Sequence, residues 1–378
     1  MKIGVPKEIH AGETRAALVP AHVGKLVKMG GEVEIEPGLG QLAGFSDAAY
    51  TAVGATVAAS RDALLASAEV VLRLRKPPLA EVGRLRKGCI HISFLDPFNE
   101  KELIQALAAQ GVSAISMEMI PRTTRAQKMD ALTSQANLAG YMAVILAAAH
   151  SPRILPMMVT VAGTIVAARV FIIGAGVAGL QAIATARRLG ARVDAFDTRP
   201  VVAEQVQSLG AKFVKIDLGE TGQTKDGYAK ALTPEQLAKQ REGMKKFCGE
   251  SDVVITTAQV FGRNAPLIVT ADMVSAMKPG SVIVDLAAES GGNVAGTVCD
   301  QVSDHAGVKI IGFTHLASRV PTHASQMYSA NLLAWLEEFW NKETKSLRLK
   351  LDDDIIQGCL ITHQGALWNE KLKSAAAS

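Results

Sequence analysis

The stretch from Arg169 to Asp197 constrains the fold more than any other region of the chain. A short β-branched and aromatic run, Val170 to Ile173, has the composition of a buried strand. Gly174-Ala175-Gly176-Val177-Ala178-Gly179 then turns the chain into a helix that closes on Gly190. A second strand ends at Asp197, 21 residues after Gly176. Strand, glycine turn, helix and a second strand ending in an acid are the components of a dinucleotide-binding unit. Gly174 permits the turn, Gly176 lets backbone approach a pyrophosphate, and Gly179 lets helix pack on strand. Ala175 and Val177 belong to the same binding turn. The helix N-terminus offers unpaired N–H groups and positive dipole to phosphate. Asp197 can accept hydrogen bonds from the ribose hydroxyls and would repel a 2′-phosphate, so NAD(H) is expected rather than NADP(H). Thr198 and Arg199 follow it, and an arginine so placed can also hold a 2′-phosphate.

With 378 residues, 48% hydrophobic and 20% charged, the chain has material for two domains and a large core. A net charge of +4 gives no ground for a nucleic-acid partner, and none is expected. Cys89, Cys248, Cys299 and Cys359 form no CxxC and have no histidine in ligand spacing. Inert thiols in a reducing compartment and no metal site are expected. The chain opens on a strand, so no signal peptide is expected. The apolar segments 154–168 and 170–186 are each short of a bilayer span and are divided by Arg169, so the chain reads as soluble.

Strands are expected at 2–5, 33–36, 70–74, 89–94 and 112–117, between helices near 21–29, 62–68 and 100–109. A helix over 130–150, apolar nearly all round, should be buried between layers as a spine linking two domains. Later strands fall at 212–214, 253–256, 281–285 and 309–312. The polar stretch 217–233 holds Gly219, Gly222, Gly227 and one aromatic residue, Tyr228. It reads as a lid whose ring lies against a ligand, or equally as a plain surface loop. A helix over 322–340 should return to the first domain, which the tail completes. The expected fold is α/β, with two Rossmann-like doubly wound parallel-sheet domains separated by a cleft. The expected domains are 1–131 with 318–378, and 132–317.

Gly4-Val-Pro-Lys-Glu8 and Gly12-Glu-Thr-Arg15-Ala-Ala-Leu-Val-Pro20 resemble the start of two related families, alanine dehydrogenase and the NAD(H)-binding component (domain I, alpha subunit) of proton-translocating NAD(P) transhydrogenase. The stretch from Pro121 to Tyr141 is similar to the transhydrogenase signature loop. Asp226-Gly-Tyr-Ala-Lys230, the run Met277 to Ala287, Glu289-Ser-Gly-Gly-Asn293 and Ser318-Arg-Val320 carry the likeness across the chain. Oxidising an amino acid needs a general base and a carboxylate clamp. Alanine dehydrogenases place a lysine and a histidine where this chain has Arg75 and Asp96. Arg15 is the one substrate residue clearly kept, and it can serve as a structural ion-pair partner.

Transfer between two nicotinamides moves only hydride, and needs alignment rather than an acid or base. The resemblance implies that Arg122, Gln127, Asp130 and Thr133 orient the nicotinamide, with Leu132 and Ser134 beside them. Thr133 stands where the family has serine. Read from residues alone, the loop is better explained as a polar connection that caps the spine helix, with Asp130 as its N-cap. The resemblance also implies a mobile lid carrying Gly227 and Tyr228, and contacts from Gln240 and Gln259. Gln259-Val-Phe-Gly262 departs from the family's Leu-Ile-Pro-Gly. It further implies a Si/Re-specific enzyme active only with partners. These are a membrane-spanning second portion of the alpha subunit, carried on a separate chain, and a beta subunit with an NADP-binding domain III. NADP(H) would sit on that domain, and this chain would be a homodimer on the cytoplasmic face of the inner membrane. An amino-acid dehydrogenase resembling alanine dehydrogenase, or a non-catalytic NADH sensor, are the alternatives.

Overall fold

The computed structural model describes residues 1–219, 221–222 and 232–377. Two compact units emerge, Met1–Gln135 with Ala317–Ser378, and Ala136–Leu316. Gly227, Tyr228 and the expected lid around them lie outside the described residues.

In the first unit, short apolar runs alternate with helices and so pair in parallel. Strands β1 (Lys2–Val5), β2 (Glu32–Ile35), β3 (Thr56–Val57), β4 (Val70–Leu72), β5 (Ile90–Ser93) and β6 (Ser113–Ser116) lie in the order β3-β2-β1-β4-β5-β6. The order reverses between β1 and β4, where Ile3 stands opposite both Val33 and Val70. Every residue of β4, β5 and β6 is buried, as a parallel sheet covered on both faces requires. Two antiparallel strands from the C-terminal segment, Leu360–His363 and Ala366–Leu367, extend the sheet beyond β6. The helix Pro321–Phe339 contributes the fully buried Tyr328 and Trp335 to this core. The Tyr328 hydroxyl donates to the Arg73 carbonyl at 2.8 Å.

The second unit repeats the plan. Strands β7 (Arg169–Ile173), β8 (Arg192–Phe196), β9 (Lys212–Phe213), β10 (Val253–Thr256), β11 (Val282–Asp285) and β12 (Val308–Ile311) lie in the order β9-β8-β7-β10-β11-β12. An antiparallel strand, Val302–His305, closes the β12 edge. Here the order reverses between β7 and β10, the position at which open α/β sheets bind ligands.

One expectation changes. The helix Ala131–His150 is half-buried rather than sealed, and its Tyr141 is exposed. Its large apolar side chains divide: Met142, Val144 and Leu146 are buried, while Leu138 and Ile145 are only half-buried. Among the described residues it is the one helix long and apolar enough to cross a bilayer, by length and composition. The apolar run 154–168 contains a hairpin, Met158–Thr160 against Gly163–Ile165, whose Val159 and Val161 are exposed.

Candidate functional site

The fingerprint turn follows β7 at the reversal point of its sheet. Gly174 has φ +99°, and a Cβ there would meet the Thr257 hydroxyl at 2.5 Å. A Cβ on Gly179 would stand 1.9 Å from the Gly174 carbonyl oxygen, so helix and turn touch through backbone. Gly140 approaches the Ala178 carbonyl in the same way, at 2.1 Å for its notional Cβ. Gly176 is different: a Cβ there meets nothing within 4 Å. It is the N-cap of the helix Val177–Arg188, and no side chain caps that end. Open space beside Gly176, in front of an uncapped helix N-terminus, is the cradle a pyrophosphate needs.

Asp197 immediately follows β8 and is buried. Its Oδ2 accepts the Ala175 N–H at 2.7 Å, which ties strand end to turn. Arg199 holds the rest of the carboxylate. Its backbone N–H and Nε donate to Oδ1 at 2.8 and 2.9 Å, and its Nη2 donates to Oδ2 at 2.8 Å. These bonds, against the opposing effect of burial, hold Arg199 above the ordinary arginine pKa. The Thr198 carbonyl accepts the Thr221 hydroxyl at 2.7 Å.

The loop after β10 is braced by residues whose role no local motif marks. The Thr257 hydroxyl donates to the Gly174 carbonyl at 3.1 Å. Asn293 clamps Ala258 from both sides, accepting its N–H at 3.1 Å and donating to its carbonyl at 2.9 Å. Asp285, fully buried at the end of β11, accepts from Thr256, Thr297 and the backbone of Ala287, Asn293 and Val294. Asp285 ends a strand and Asn293 follows Gly291-Gly292, but neither pattern names the partners these side chains hold. The Gln259 amide donates to the Leu286 carbonyl at 2.9 Å, a bond a leucine could not make. Gln240 is buried in the helix Pro234–Glu250.

The loop from Arg122 to Ser134 lies in the first unit. Arg122 and Gln127 are exposed, while Ala126 and Met129 anchor the loop in the core. Arg125 reaches Asp353 at 2.6 Å and also binds Asp354. Asn331 holds the Lys128 carbonyl at 2.8 Å and accepts the Ser134 hydroxyl at 2.7 Å. Asp130 accepts the Thr133 N–H at 2.9 Å and its hydroxyl at 2.7 Å. That is the geometry of a helix cap, so the carboxylate and Thr133 already serve each other. Leu132 is half-buried.

Where alanine dehydrogenase would clamp its substrate, the groups are engaged. Arg15 is buried and donates through Nε and Nη2 to Glu13 at 2.7 and 2.6 Å, and through Nη1 to Gln135 at 2.8 Å. Burial raises the Glu13 pKa, but bonding and charge from Arg15 outweigh it and hold the carboxyl below the usual range. The Arg75 N–H contacts Glu8 at 3.3 Å. Asp96, at φ 52°, accepts the Asn99 amide at 2.8 Å. Among the described residues no cluster could hold a metal ion.

Residues 4–139 match the model of the alanine dehydrogenase/PNT N-terminal domain, and residues 143–370 that of the C-terminal domain. The chain is 44% identical to the first portion of NAD(P) transhydrogenase subunit alpha of Rhodospirillum rubrum, over 100% of both chains. It is 46% identical to NAD(P) transhydrogenase subunit alpha of Cereibacter sphaeroides, over 97% of this chain and 71% of that one. Alanine dehydrogenase of Halomonas elongata is 35% identical over 77% of this chain and 74% of its own. The crystal structure of transhydrogenase from Sinorhizobium meliloti superposes with TM-score 0.87 at 42% identity, covering 97% of this chain and 100% of that one. An L-alanine dehydrogenase superposes at 0.81 and 27% identity, covering 100% and 99%. With both halves matched and the transhydrogenase subunits more similar than the alanine dehydrogenases beside them, the chain belongs to the alanine dehydrogenase/PNT family, among its transhydrogenase alpha subunits.

Proposed function

We propose that the chain is the NAD(H)-binding component of a proton-translocating transhydrogenase. Hydride would pass between NAD(H) on the second unit and NADP(H) on a partner subunit. The membrane-spanning portion of the alpha subunit and the beta subunit would couple that transfer to proton movement across the membrane, with this chain a homodimer on its cytoplasmic face. The observation that carries the reading is the state of Arg15. Its guanidinium is committed to Glu13 and Gln135, so it is not poised to clamp a substrate carboxylate. Asp96 in place of histidine removes the base that amino-acid oxidation needs. What is kept suits a reaction that moves hydride without a proton.

Bound nicotinamide supplies the hydride chemistry. The residues of this chain bind and orient it. The turn from Gly174 to Gly179 takes the pyrophosphate on the N–H groups from Gly176 onward, those of Gly174 and Ala175 being bonded to Phe196 and Asp197, and Asp197 takes the ribose hydroxyls. Arg122, Gln127, Asp130 and Thr133 orient the carboxamide, with Asp130 also fixing the loop as the helix cap. The stretch with Gly227 and Tyr228 serves as the lid.

One mixing experiment tests the proposal. NADH and an oxidised NADP analogue are added to the chain, with and without the NADP-binding component of a related transhydrogenase. Hydride transfer only when that component is present supports it. Alanine-dependent NAD⁺ reduction by the chain alone would sink it, and NADH binding without transfer in any mixture would make it a sensor.

A further inference from the structure

A carboxylate offers about four lone-pair positions. In Asp197 all four are taken: Oδ1 by the N–H and Nε of Arg199, Oδ2 by Ala175 N–H and Arg199 Nη2. Two of these donors are backbone and belong to the turn itself. The other two come from one side chain, and are the positions two ribose hydroxyls would require. The pair is sheltered, with side-chain exposures of 14% for Arg199 and 6% for Asp197.

We propose that the Arg199 guanidinium is a resident occupant of the adenosine-ribose subsite, and that the 2′,3′-diol of an incoming dinucleotide displaces it, two donors for two donors. This rests on the reading of the second unit as an NAD(H) site and adds a specificity-determining residue to it. Two consequences follow from the exchange. The diol of NADH competes against a charged, bidentate, preorganised rival, so Arg199 weakens NADH binding. A 2′-phosphate supplies one donor fewer and meets the carboxylate, but the cation beside Asp197 offsets that repulsion. Arg199 therefore narrows the gap between the two cofactors from both sides.

The test is titration of the full-length chain, wild type and Arg199→Leu, with NADH and with NADPH, read by calorimetry. In Arg199→Leu, NADH should bind about tenfold tighter, because its competitor is gone, and NADPH should bind several-fold weaker, because no cation offsets the Asp197 charge. Opposite signs for the two ligands are the signature, since damage to the fold would weaken both. Arg199→Lys keeps the charge but not the fork, and should lie between wild type and Arg199→Leu for NADH. It carries the test if the leucine variant does not fold. NADH binding that is unchanged or weaker in a folded variant overturns the exchange while leaving the NAD(H) site intact. A folded wild-type chain that binds neither nucleotide overturns the NAD(H) reading, and the exchange with it.

Discussion

Gly176 and Gly179 stand three residues apart in one turn, and their alanine variants should fail in opposite ways. Gly176 has φ −78° and ψ −167°, an extended conformation that alanine adopts freely, and its Cβ would point into open space. Gly176→Ala should leave the apo protein as stable as wild type, or more stable by about 0.4–1 kcal/mol through its less flexible unfolded chain. The methyl then occupies the approach to the cradle. Losing two hydrogen bonds to a charged pyrophosphate costs about 3 kcal/mol, or roughly a hundredfold in NADH affinity. In Gly179→Ala the Cβ falls 1.9 Å from the Gly174 carbonyl, where real contacts stay above 3.0 Å, so backbone must retreat by 3.0 − 1.9 = 1.1 Å. Overpacking of that kind costs about 1–3 kcal/mol, a fall in melting temperature of roughly 3–10 °C for a unit of this size. Scanning fluorimetry and NADH titration on the two variants separate the effects. Wild-type NADH affinity in Gly176→Ala would refute the placement of the pyrophosphate against that glycine.

Three further outcomes are expected. Gln127→Asn, on an exposed turn, should change stability by less than about 0.5 kcal/mol and slow hydride transfer far more than it weakens NADH binding; equal loss of both would contradict an aligning role. Asp130→Ala should cost about 0.5–2 kcal/mol in urea unfolding, because the Thr133 N–H loses its acceptor, whereas Asp130→Asn keeps an acceptor and should lose much less; two equal losses would mean that the cap does not operate. His91 is fully buried, and burial followed by the Arg73 charge lowers its pKa to about 3. Its folded pKa lies below its unfolded value, so the unfolded chain binds the extra proton, and the stability due to this neutral side chain is present above about pH 6.5 and is lost as pH falls toward 3. Relative to His91→Gln, wild type should lose up to about 1.4 kcal/mol per pH unit within that window, and parallel stability curves for the two would refute it.

Much of the fold is visible in the sequence because parallel strands buried on both faces announce themselves as unbroken apolar runs. The strand expected at 253–256 matches Val253–Thr256, and the others agree within a residue or two. Thr56–Val57 and Val302–His305 escaped because an edge strand need not be apolar, and both are largely exposed. The fingerprint was legible because Gly174 answers to a left-handed turn and Gly179 to a backbone approach that leaves no room for a Cβ. The bracing around it was not. The bonds from Asp285 to Thr256, Asn293 to Ala258 and Thr257 to Gly174 join residues 29, 35 and 83 positions apart, and no local pattern marks such partners. Arg199 was legible as a residue that could hold phosphate, whereas its grip on Asp197 depends on how the turn after β8 folds back.

The first unit is a discontinuous assembly, and this bears on the order in which the protein acquires structure. Its two segments are stitched by bonds such as Gln135 Nε2 to the Ala324 carbonyl at 3.1 Å, across the insertion 136–316. Closing an unstructured loop of that length costs roughly 4–5 kcal/mol in chain entropy. The inserted unit is continuous in sequence and can fold without waiting for either flank. Once folded, it hands its two ends to the first unit as a fixed pair, and most of that entropy is already spent. Synthesis from the N-terminus therefore leaves β1 to β6 without the Pro321–Phe339 helix until the second unit has emerged, and the second unit is expected to mature first.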